Sequence, residues 1–191
     1  MTRYLGVDPG KKGGWAVISE EGRCLYTAAL PYTGDQIDVV TLDSDITAWC
    51  KPFTDVSAVI EHPLVRTGES DTGHLNSGKN FGILIAIATL KGFRIHTPQP
   101  GPWKSKMRLS SDKSQSMKLC DQLFPEAHNW IRGPRGGAFD GLAEAILIAE
   151  YQRRIDGGRK GQRFDEIPST ASPSMRRDNS GFFREMREGY E

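Results

Sequence analysis

The sequence predicts an α/β domain with a mixed five-stranded sheet, helices on both faces and a polar C-terminal tail. Three apolar segments joined by short, glycine-containing turns begin the chain, and this pattern predicts an antiparallel meander. A strand, a helix and another strand follow, and such a unit implies a parallel, right-handed crossover. From residue 157 onward Gly, Ser, Pro and charged residues dominate, which is typical of a disordered segment.

The meander is predicted from three apolar runs at the start of the chain. Its strands are expected at Tyr4–Asp8, Gly14–Ser19 and Arg23–Leu30. Turns rich in Gly and Pro separate these runs, as strand connections usually are. A short helix at Thr41–Trp49, with acidic residues near its start, is expected to follow.

The crossover begins at the nearly continuous apolar run Val56–Glu61, which predicts a central strand covered on both faces. The polar, glycine-rich segment 65–79 predicts a loop, and Asn80–Leu90 predicts a buried helix that ends at Lys91 and Gly92. The rest of the predicted domain is a fifth strand, a short helix and two longer helices, at Phe93–Thr97, Trp103–Lys104, Ser111–Phe124 and Ala138–Tyr151.

Length and composition suit a single intracellular domain with a tail. The chain has 191 residues, and we place the domain at residues 1–156 and the tail at 157–191. The net charge of +1 leaves nucleic-acid binding to local patches. We expect no signal or transit peptide, no membrane span and a cytoplasmic location. The cysteines lack zinc-site spacing and are expected to be reduced, buried thiols: Cys24, Cys50 and Cys120.

Four carboxylates stand at positions that suit one shared site: Asp8, Glu61, Asp140 and Glu144. Asp8 and Glu61 each end a predicted strand, and the two strands should be neighbours in the sheet. Asp140 and Glu144 lie four residues apart, so they share one face of a helix. No Lys or Arg lies within these runs. Because buried carboxylates need a counter-charge, a divalent cation is the obvious candidate.

This oxygen-rich set suits phosphodiester hydrolysis. The reaction needs an activated water and neutralisation of the charge on the phosphate and on the leaving group, and two Mg²⁺ ions about 4 Å apart supply all of these. Mg²⁺ prefers oxygen ligands and retains several waters, so three or four carboxylates suffice. We therefore expect two Mg²⁺ ions per site, with Mn²⁺ able to substitute, and no nucleotide cofactor. Taken singly, Asp8 could be a turn former and Asp140 a helix cap.

The order and surroundings of these motifs resemble the RuvC-type Holliday junction resolvases, a branch of the ribonuclease-H-like fold. The resemblance covers residues 3–151 and rests on five segments: Gly6–Gly10, Ile60–Pro63, Thr97–Lys104, Lys113–Pro125 and Asp140–Ala145. It implies a divalent-metal endonuclease that uses the four carboxylates to cut four-way DNA junctions as a homodimer. A junction is two-fold symmetric, so paired cuts need two active sites that face one surface.

The last motif departs from the bacterial pattern of this family. Bacterial resolvases usually carry two Asp residues three apart, whereas here that position is Ala143 and the second acid is Glu144. This spacing is more similar to the phage and organellar branches. Phe139 also stands where relatives often carry His. We therefore expect the active-site chemistry of the family without the bacterial sequence preference.

Cationic residues near the acidic motifs are candidates for contact with a polyanionic substrate. They are Lys11, Lys12, Lys79, Lys104, Lys113 and Arg135. Trp103 is expected to pack in the core rather than to stack on a base. The segment 65–79 is expected to contact the junction, because functional loops are often long and polar. The excess apolarity of Asn80–Leu90 points to a dimer interface.

Three alternatives remain open on the residues alone. A ribonuclease-H-like nuclease acting on other branched DNA, on RNA or on hybrids would carry the same carboxylates. A phosphotransferase of the actin and sugar-kinase superfamily would use the stretch Asp8–Gly14 as a phosphate-binding hairpin, but that superfamily duplicates the fold and this chain has one copy. A non-catalytic junction-binding protein would gain nothing from anionic side chains that face DNA.

Overall fold

A computed structural model describes residues 1–50, 55–64, 68, 70–133, 136–157 and 163–170. The strands are β1 (Thr2–Val7), β2 (Gly14–Ser19), β3 (Cys24–Ala29), β4 (Tyr32–Thr33), β5 (Gln36–Ile37), β6 (Asp55–Ile60) and β7 (Arg94–His96). The helices are α1 (Val39–Cys50), α2 (Asp71–Leu90), α3 (Pro100–Lys106), α4 (Lys113–Leu123) and α5 (Asp140–Gly157). Within these ranges, none of the helices combines the length and apolarity needed to cross a membrane.

The main sheet has five strands in the order β3-β2-β1-β6-β7. β1, β2 and β3 form the predicted antiparallel meander, and β6 and β7 run parallel to β1. Val7 and Ile60 are register partners at the ends of β1 and β6. The Glu61 amide donates to the Val7 carbonyl at 3.0 Å, so Asp8 and Glu61 leave the sheet at the same edge. The predicted mixed sheet is confirmed.

Helices cover both faces of the sheet, and each face has its own apolar core. One core lies beneath α3, α4 and α5 and contains Tyr4 and Trp103. The other lies beneath α1 and α2 and contains Leu5 and Trp15. Neighbouring residues of β1 enter opposite cores because side chains alternate along a strand. All three cysteines are free and buried, as expected.

Two glycines allow α5 to lie against the centre of the sheet. A Cβ atom at Gly6 of β1 would come within 2.1 Å of the Ala145 carbonyl and 2.6 Å of the Ala149 nitrogen. A Cβ atom at Gly141, in the first turn of α5, would lie 2.2 Å from the carbonyl of Lys12. Distances below 3.0 Å leave no room for any side chain. This backbone-to-backbone packing fixes the start of α5 beside the turn that follows β1.

Helix α2 is longer than predicted, so the prediction of a loop over residues 65–79 is wrong from Asp71 onward. The Ser70 hydroxyl caps the helix by accepting from the Gly73 amide at 3.1 Å. Glycines and polar residues lower helix propensity, but tertiary contacts override it. The buried Asn80 side chain accepts from the Ile37 amide at 3.1 Å and thereby joins α2 to β5. Residues 65–67 and 69 lie outside the described part of the chain.

The second half of α2 is buried on one side only. Within the predicted buried stretch, the buried residues are Asn80, Leu84, Ile87 and Ala88, while Leu90 is 88% exposed. The helix therefore covers the sheet with one face and presents the other to solvent. The prediction of a buried helix is therefore confirmed for the face that covers the sheet and wrong for the outer face.

Two features of the structure have no counterpart in the sequence prediction. The hairpin β4–β5 is too short for a period-two pattern to be recognised. In the region predicted to be disordered, residues 163–170 pack on the domain, and Ile167 is 1% exposed. The Arg108 guanidinium donates to the carbonyls of Ile167 and Asp165 at 2.9 and 3.2 Å. Residues 171–191 lie outside the described part of the chain.

We expect Gly6→Ala to lower the free energy of unfolding by about 3 kcal/mol, because the new methyl group forces α5 away from β1. Urea denaturation followed by circular dichroism measures this change. Gly101→Ala is the matched control, since a Cβ atom at Gly101 meets nothing within 4 Å. Equal stabilities of the two variants would contradict the close packing of α5.

Candidate active site

A cleft of about 530 Å³ opens at the edge of the sheet where β1 and β6 end. Three of the four predicted carboxylates line it, namely Asp8, Glu61 and Glu144. The cations that line it are Lys11, Lys12, Lys104 and Lys113. The remaining lining includes polar side chains from the β4–β5 hairpin and α2: Tyr32, Asp35, Asn76, Ser77 and Asn80.

Asp8 lies in the turn directly after β1. Its Oδ1 accepts from the Gly10 amide at 3.0 Å, and its own amide donates to the Gly14 carbonyl at 2.9 Å. The pKa of Asp8 is raised to about 6, mainly by burial and also by the negative charge of Glu144, while the hydrogen bond from the Gly10 amide opposes the shift. The surroundings of this side chain therefore disfavour its charged form.

Glu61 accepts a hydrogen bond from a buried tryptophan. The Trp103 indole Nε1 donates to Glu61 Oε1 at 2.7 Å. The pKa of Glu61 is raised to about 7, mainly by burial and also by the charges of Asp8 and Glu144, while the indole hydrogen bond opposes the shift. The charge of Asp8 thus acts on Glu61, and the charge of Glu144 acts on both side chains.

Asp140 and Glu144 project from the first two turns of α5 and are each paired with a lysine. Glu144 is buried and its Oε1 accepts from the Lys104 ammonium at 2.9 Å and from the Ser116 hydroxyl at 3.2 Å. Asp140 forms an ion pair with Lys113. Burial acts to raise the pKa of Asp140, but the Lys113 ammonium outweighs it and holds that pKa below its ordinary value.

No cation lies within the acidic runs of the sequence, but the fold brings two cations to them from other helices. Lys104 comes from α3 and Lys113 from the first turn of α4. Both were predicted to contact DNA, and here they neutralise Glu144 and Asp140. Local sequence could not reveal these pairs, because 40 and 27 residues separate the partners.

The other residues predicted to contact DNA differ in their surroundings. Lys11 forms an ion pair of 2.7 Å with Asp35 at the tip of the β4–β5 hairpin. Lys12 lines the cleft, and its charge contributes to lowering the pKa of Asp140. Lys79 is exposed on α2, and its positive charge contributes to lowering the pKa of Asp35. Arg135 lies outside the described residues.

Several residues in or next to the cleft were not predicted from the sequence. Trp103 is fully buried, as expected of a core residue, but its contact with Glu61 was not expected. Asn76 and Ser77 line the cleft from α2, in the segment that was predicted to be a loop. Tyr32 lines it from β4, and its hydroxyl lies 3.3 Å from the Pro9 carbonyl oxygen. Residues 71–79 contain two glycines and no helical pattern of apolar residues, so local sequence carries no signal that Asn76 and Ser77 lie on a helix.

The chemistry of the donor set fits a hard divalent cation. Every acidic side chain at the cleft offers carboxylate oxygens, which Mg²⁺ and Mn²⁺ prefer. Burial and neighbouring negative charges raise the pKa of Asp8 and Glu61, so a bound cation would stabilise the charged forms of both side chains. Among the described residues, no three acidic, His or Cys side chains are placed closely enough to hold one ion together. In this structure the carboxylates of Glu144 and Asp140 are paired with the ammonium groups of Lys104 and Lys113.

This sheet order, with α5 across its centre, defines an α/β fold of the ribonuclease-H-like class. No protein-family model and no curated protein sequence matches the chain. Among solved structures, T. thermophilus RuvC in complex with a Holliday junction substrate matches with a TM-score of 0.60 and 14% identity, over 85% of this chain and 98% of that chain. A structure of Thermus thermophilus RuvC matches with a TM-score of 0.56 and 15% identity, over 81% and 96%. The chain therefore has a RuvC-like fold.

We expect the metal-free protein to lose stability as the pH rises from about 4 to about 7. The folded pKa values of about 6 for Asp8 and about 7 for Glu61 exceed the ordinary values of 3.8 and 4.5, so folding favours the protonated forms. The stability that these two carboxyl groups contribute is fully present at pH values below their ordinary pKa values. It is lost as the pH rises through their folded-state pKa values. With solvent screening the loss is about 1 to 2 kcal/mol per carboxylate.

Thermal and urea unfolding across this pH range, with and without Mg²⁺, measure the effect. The double variant Asp8→Asn, Glu61→Gln is expected to lack this component of the pH dependence, and Mg²⁺ is expected to restore stability to the wild type alone. A wild type and double variant with parallel pH profiles would contradict the assignment.

Proposed function

We propose that this protein is a divalent-metal-dependent endonuclease that resolves four-way DNA junctions by paired, symmetric cuts. The main support for this proposal is that carboxylates from the ends of β1 and β6 and from α5 converge on one cleft, in a chain with a RuvC-like fold. The solved structure with the higher TM-score is a RuvC bound to a Holliday junction substrate, which supports branched DNA as the substrate class.

Asp8, Glu61, Asp140 and Glu144 are the proposed ligands of two Mg²⁺ ions, with Mn²⁺ as a substitute. When bound, the ions supply an activated water and stabilise charge at the phosphate. Asp8 and Glu61 contribute desolvated oxygens, which interact more strongly with a cation than solvated ones do. Lys104 and Lys113 neutralise Glu144 and Asp140 before cation binding, and their ammonium groups then remain at the cleft for contact with phosphate.

The walls of the cleft supply the other proposed contacts with DNA. Lys11 and Lys12 lie in the turn after β1, on the same cleft as Asn76 and Ser77 of α2. Lysines attract the phosphate backbone, and neutral amides and hydroxyls donate hydrogen bonds to phosphate or base edges. We retain Lys79 and Arg135 as proposed DNA contacts. The four-residue spacing of Asp140 and Glu144 remains our reason for proposing the phage and organellar branch.

We further propose that the protein acts as a homodimer through the outer face of α2. A stripe of small and apolar residues with helical spacing runs along this face: Leu75, Gly78, Gly82, Ala86 and Leu90. Leu75 and Leu90 are 71% and 88% exposed. Small residues between two larger apolar ones allow two helices to approach closely, and the exposed leucines gain burial on association.

We expect Asp8→Asn to reduce cleavage of a synthetic four-way junction by about 10³-fold, equivalent to about 4 kcal/mol of transition-state stabilisation. Binding of the junction should persist, because the substitution removes negative charge. Gel assays with Mg²⁺ on junction, flap, duplex, RNA and RNA–DNA hybrid substrates measure both activity and selectivity. Asp45→Asn is the matched control, because it makes the same substitution on α1 and Asp45 does not line the cleft. Undiminished cleavage by Asp8→Asn, or a preference for hybrid over junction, would contradict the proposal.

Introducing charge on the outer face of α2 should separate the dimer. We expect Ala86→Glu to sediment as a monomer in analytical ultracentrifugation and to nick junctions without the paired second cut. Val40→Glu is the control, because Val40 is 80% exposed on α1. A dimer that survives Ala86→Glu but dissociates with Val40→Glu would place the interface elsewhere.

A further inference from the structure

A buried tryptophan contacts one of the four acidic residues of the site. The Trp103 indole lies in the core beneath α3, α4 and α5, and Nε1 donates to Glu61 Oε1 at 2.7 Å. An indole N–H is only a donor, and a hydrogen bond to a charged acceptor is among the stronger kinds. A carboxylate has two oxygens. By holding one of them, the indole sets the direction in which the carboxylate of Glu61 faces the cleft.

The tryptophan is part of a helix that links two acidic elements. Lys104, the next residue of α3, contacts Glu144 at 2.9 Å. Consecutive residues of α3 therefore reach carboxylates from β6 and from α5. The end of α3 is anchored by Arg108, whose φ of 56° is unusual for a residue with a side chain and whose guanidinium donates to the carbonyls of Asp165 and Ile167.

Burial alone does not account for the hydrogen bond of Trp103. Trp15 is also fully buried, in the core on the other face of the sheet. Its indole Nε1 has no hydrogen-bond partner within the described part of the chain. This fold therefore accommodates a buried tryptophan without using its N–H, and the pairing of Trp103 with Glu61 is a separate feature of the site.

We propose that Trp103 is a positioning residue that fixes the orientation of Glu61 for divalent-cation binding. The inference rests on the proposed function in taking Glu61 as a cation ligand. Outer-shell partners of metal ligands lower the cost of organising the site, and their loss weakens metal binding by about 10- to 100-fold. Trp103 touches neither the cation nor DNA in this proposal and acts through Glu61.

The test compares Trp103→Phe with Trp15→Phe in the whole chain. Both substitutions shorten a buried aromatic side chain, but only the first removes a hydrogen bond to a carboxylate. Mn²⁺ binding without DNA, measured by electron paramagnetic resonance of the free ion, is expected to weaken about 10- to 100-fold in Trp103→Phe and to change less than about threefold in Trp15→Phe. Equal Mn²⁺ affinities of the two variants would overturn the proposal.

A second measurement on the intact side chain covers the case in which Trp103→Phe does not fold. The chain has four tryptophans, so ¹⁵N-resolved NMR gives few indole signals to assign. We expect the Trp103 indole proton to shift on addition of Mg²⁺ and in Glu61→Gln, while the Trp15 indole proton keeps its position. An indole proton of Trp103 whose chemical shift stays the same after Mg²⁺ addition and in Glu61→Gln would overturn the inference.

The two proposals fail in distinguishable ways. Junction cleavage that depends on Asp8, together with unchanged Mn²⁺ affinity in Trp103→Phe, would remove the role of Trp103 and leave the proposed function standing. Weakened Mn²⁺ binding in Trp103→Phe, with no junction cleavage by the wild type, would leave the positioning role and remove the proposed substrate. A wild type that binds no Mn²⁺ would remove both.

Discussion

The concentration of negative charge at one poorly solvated edge of the sheet is the constraint on which this structure depends. Asp8 and Glu61 end adjacent parallel strands, and α5 adds two more carboxylates beside them. Carboxylates that lose hydration must be protonated, hydrogen-bonded or paired with a cation. The chain uses all three responses, since burial raises the pKa of Asp8 and Glu61, Trp103 donates to Glu61, and lysines pair with the acids of α5.

The backbone has to bring these groups together before their charges can interact. Gly6 and Gly141 allow α5 to touch β1 and the turn after it, where any side chain would collide with main-chain atoms. Asp140 and Glu144 are placed by that contact, because they lie in the same turns of α5 as Gly141. Packing and electrostatics are therefore opposed at this edge. The close contact that stabilises the fold also assembles mutually repelling carboxylates, and cations from α3 and α4 relieve the repulsion.

Much of this arrangement follows from local sequence. Apolar runs with short turns were sufficient to predict the meander, and the run before Glu61 predicted the central parallel strand. Strand-terminal positions and helical spacing selected the four carboxylates, of which three line the cleft. What local sequence could not show depends on tertiary contact. Lys104 and Lys113 are distant from their partners along the chain, α2 forms despite its glycines, and Ile167 is one buried apolar residue in a polar segment.

The proposal that unites these features is that the four carboxylates act together as one cation site. X-ray diffraction from crystals soaked in Mn²⁺, with anomalous scattering to locate the ions, tests it most directly. We expect anomalous peaks in the cleft within coordination distance of Asp8, Glu61, Asp140 and Glu144, with Lys104 and Lys113 displaced from their acidic partners. A cleft without anomalous peaks at saturating Mn²⁺, with both lysine pairs intact, would contradict it.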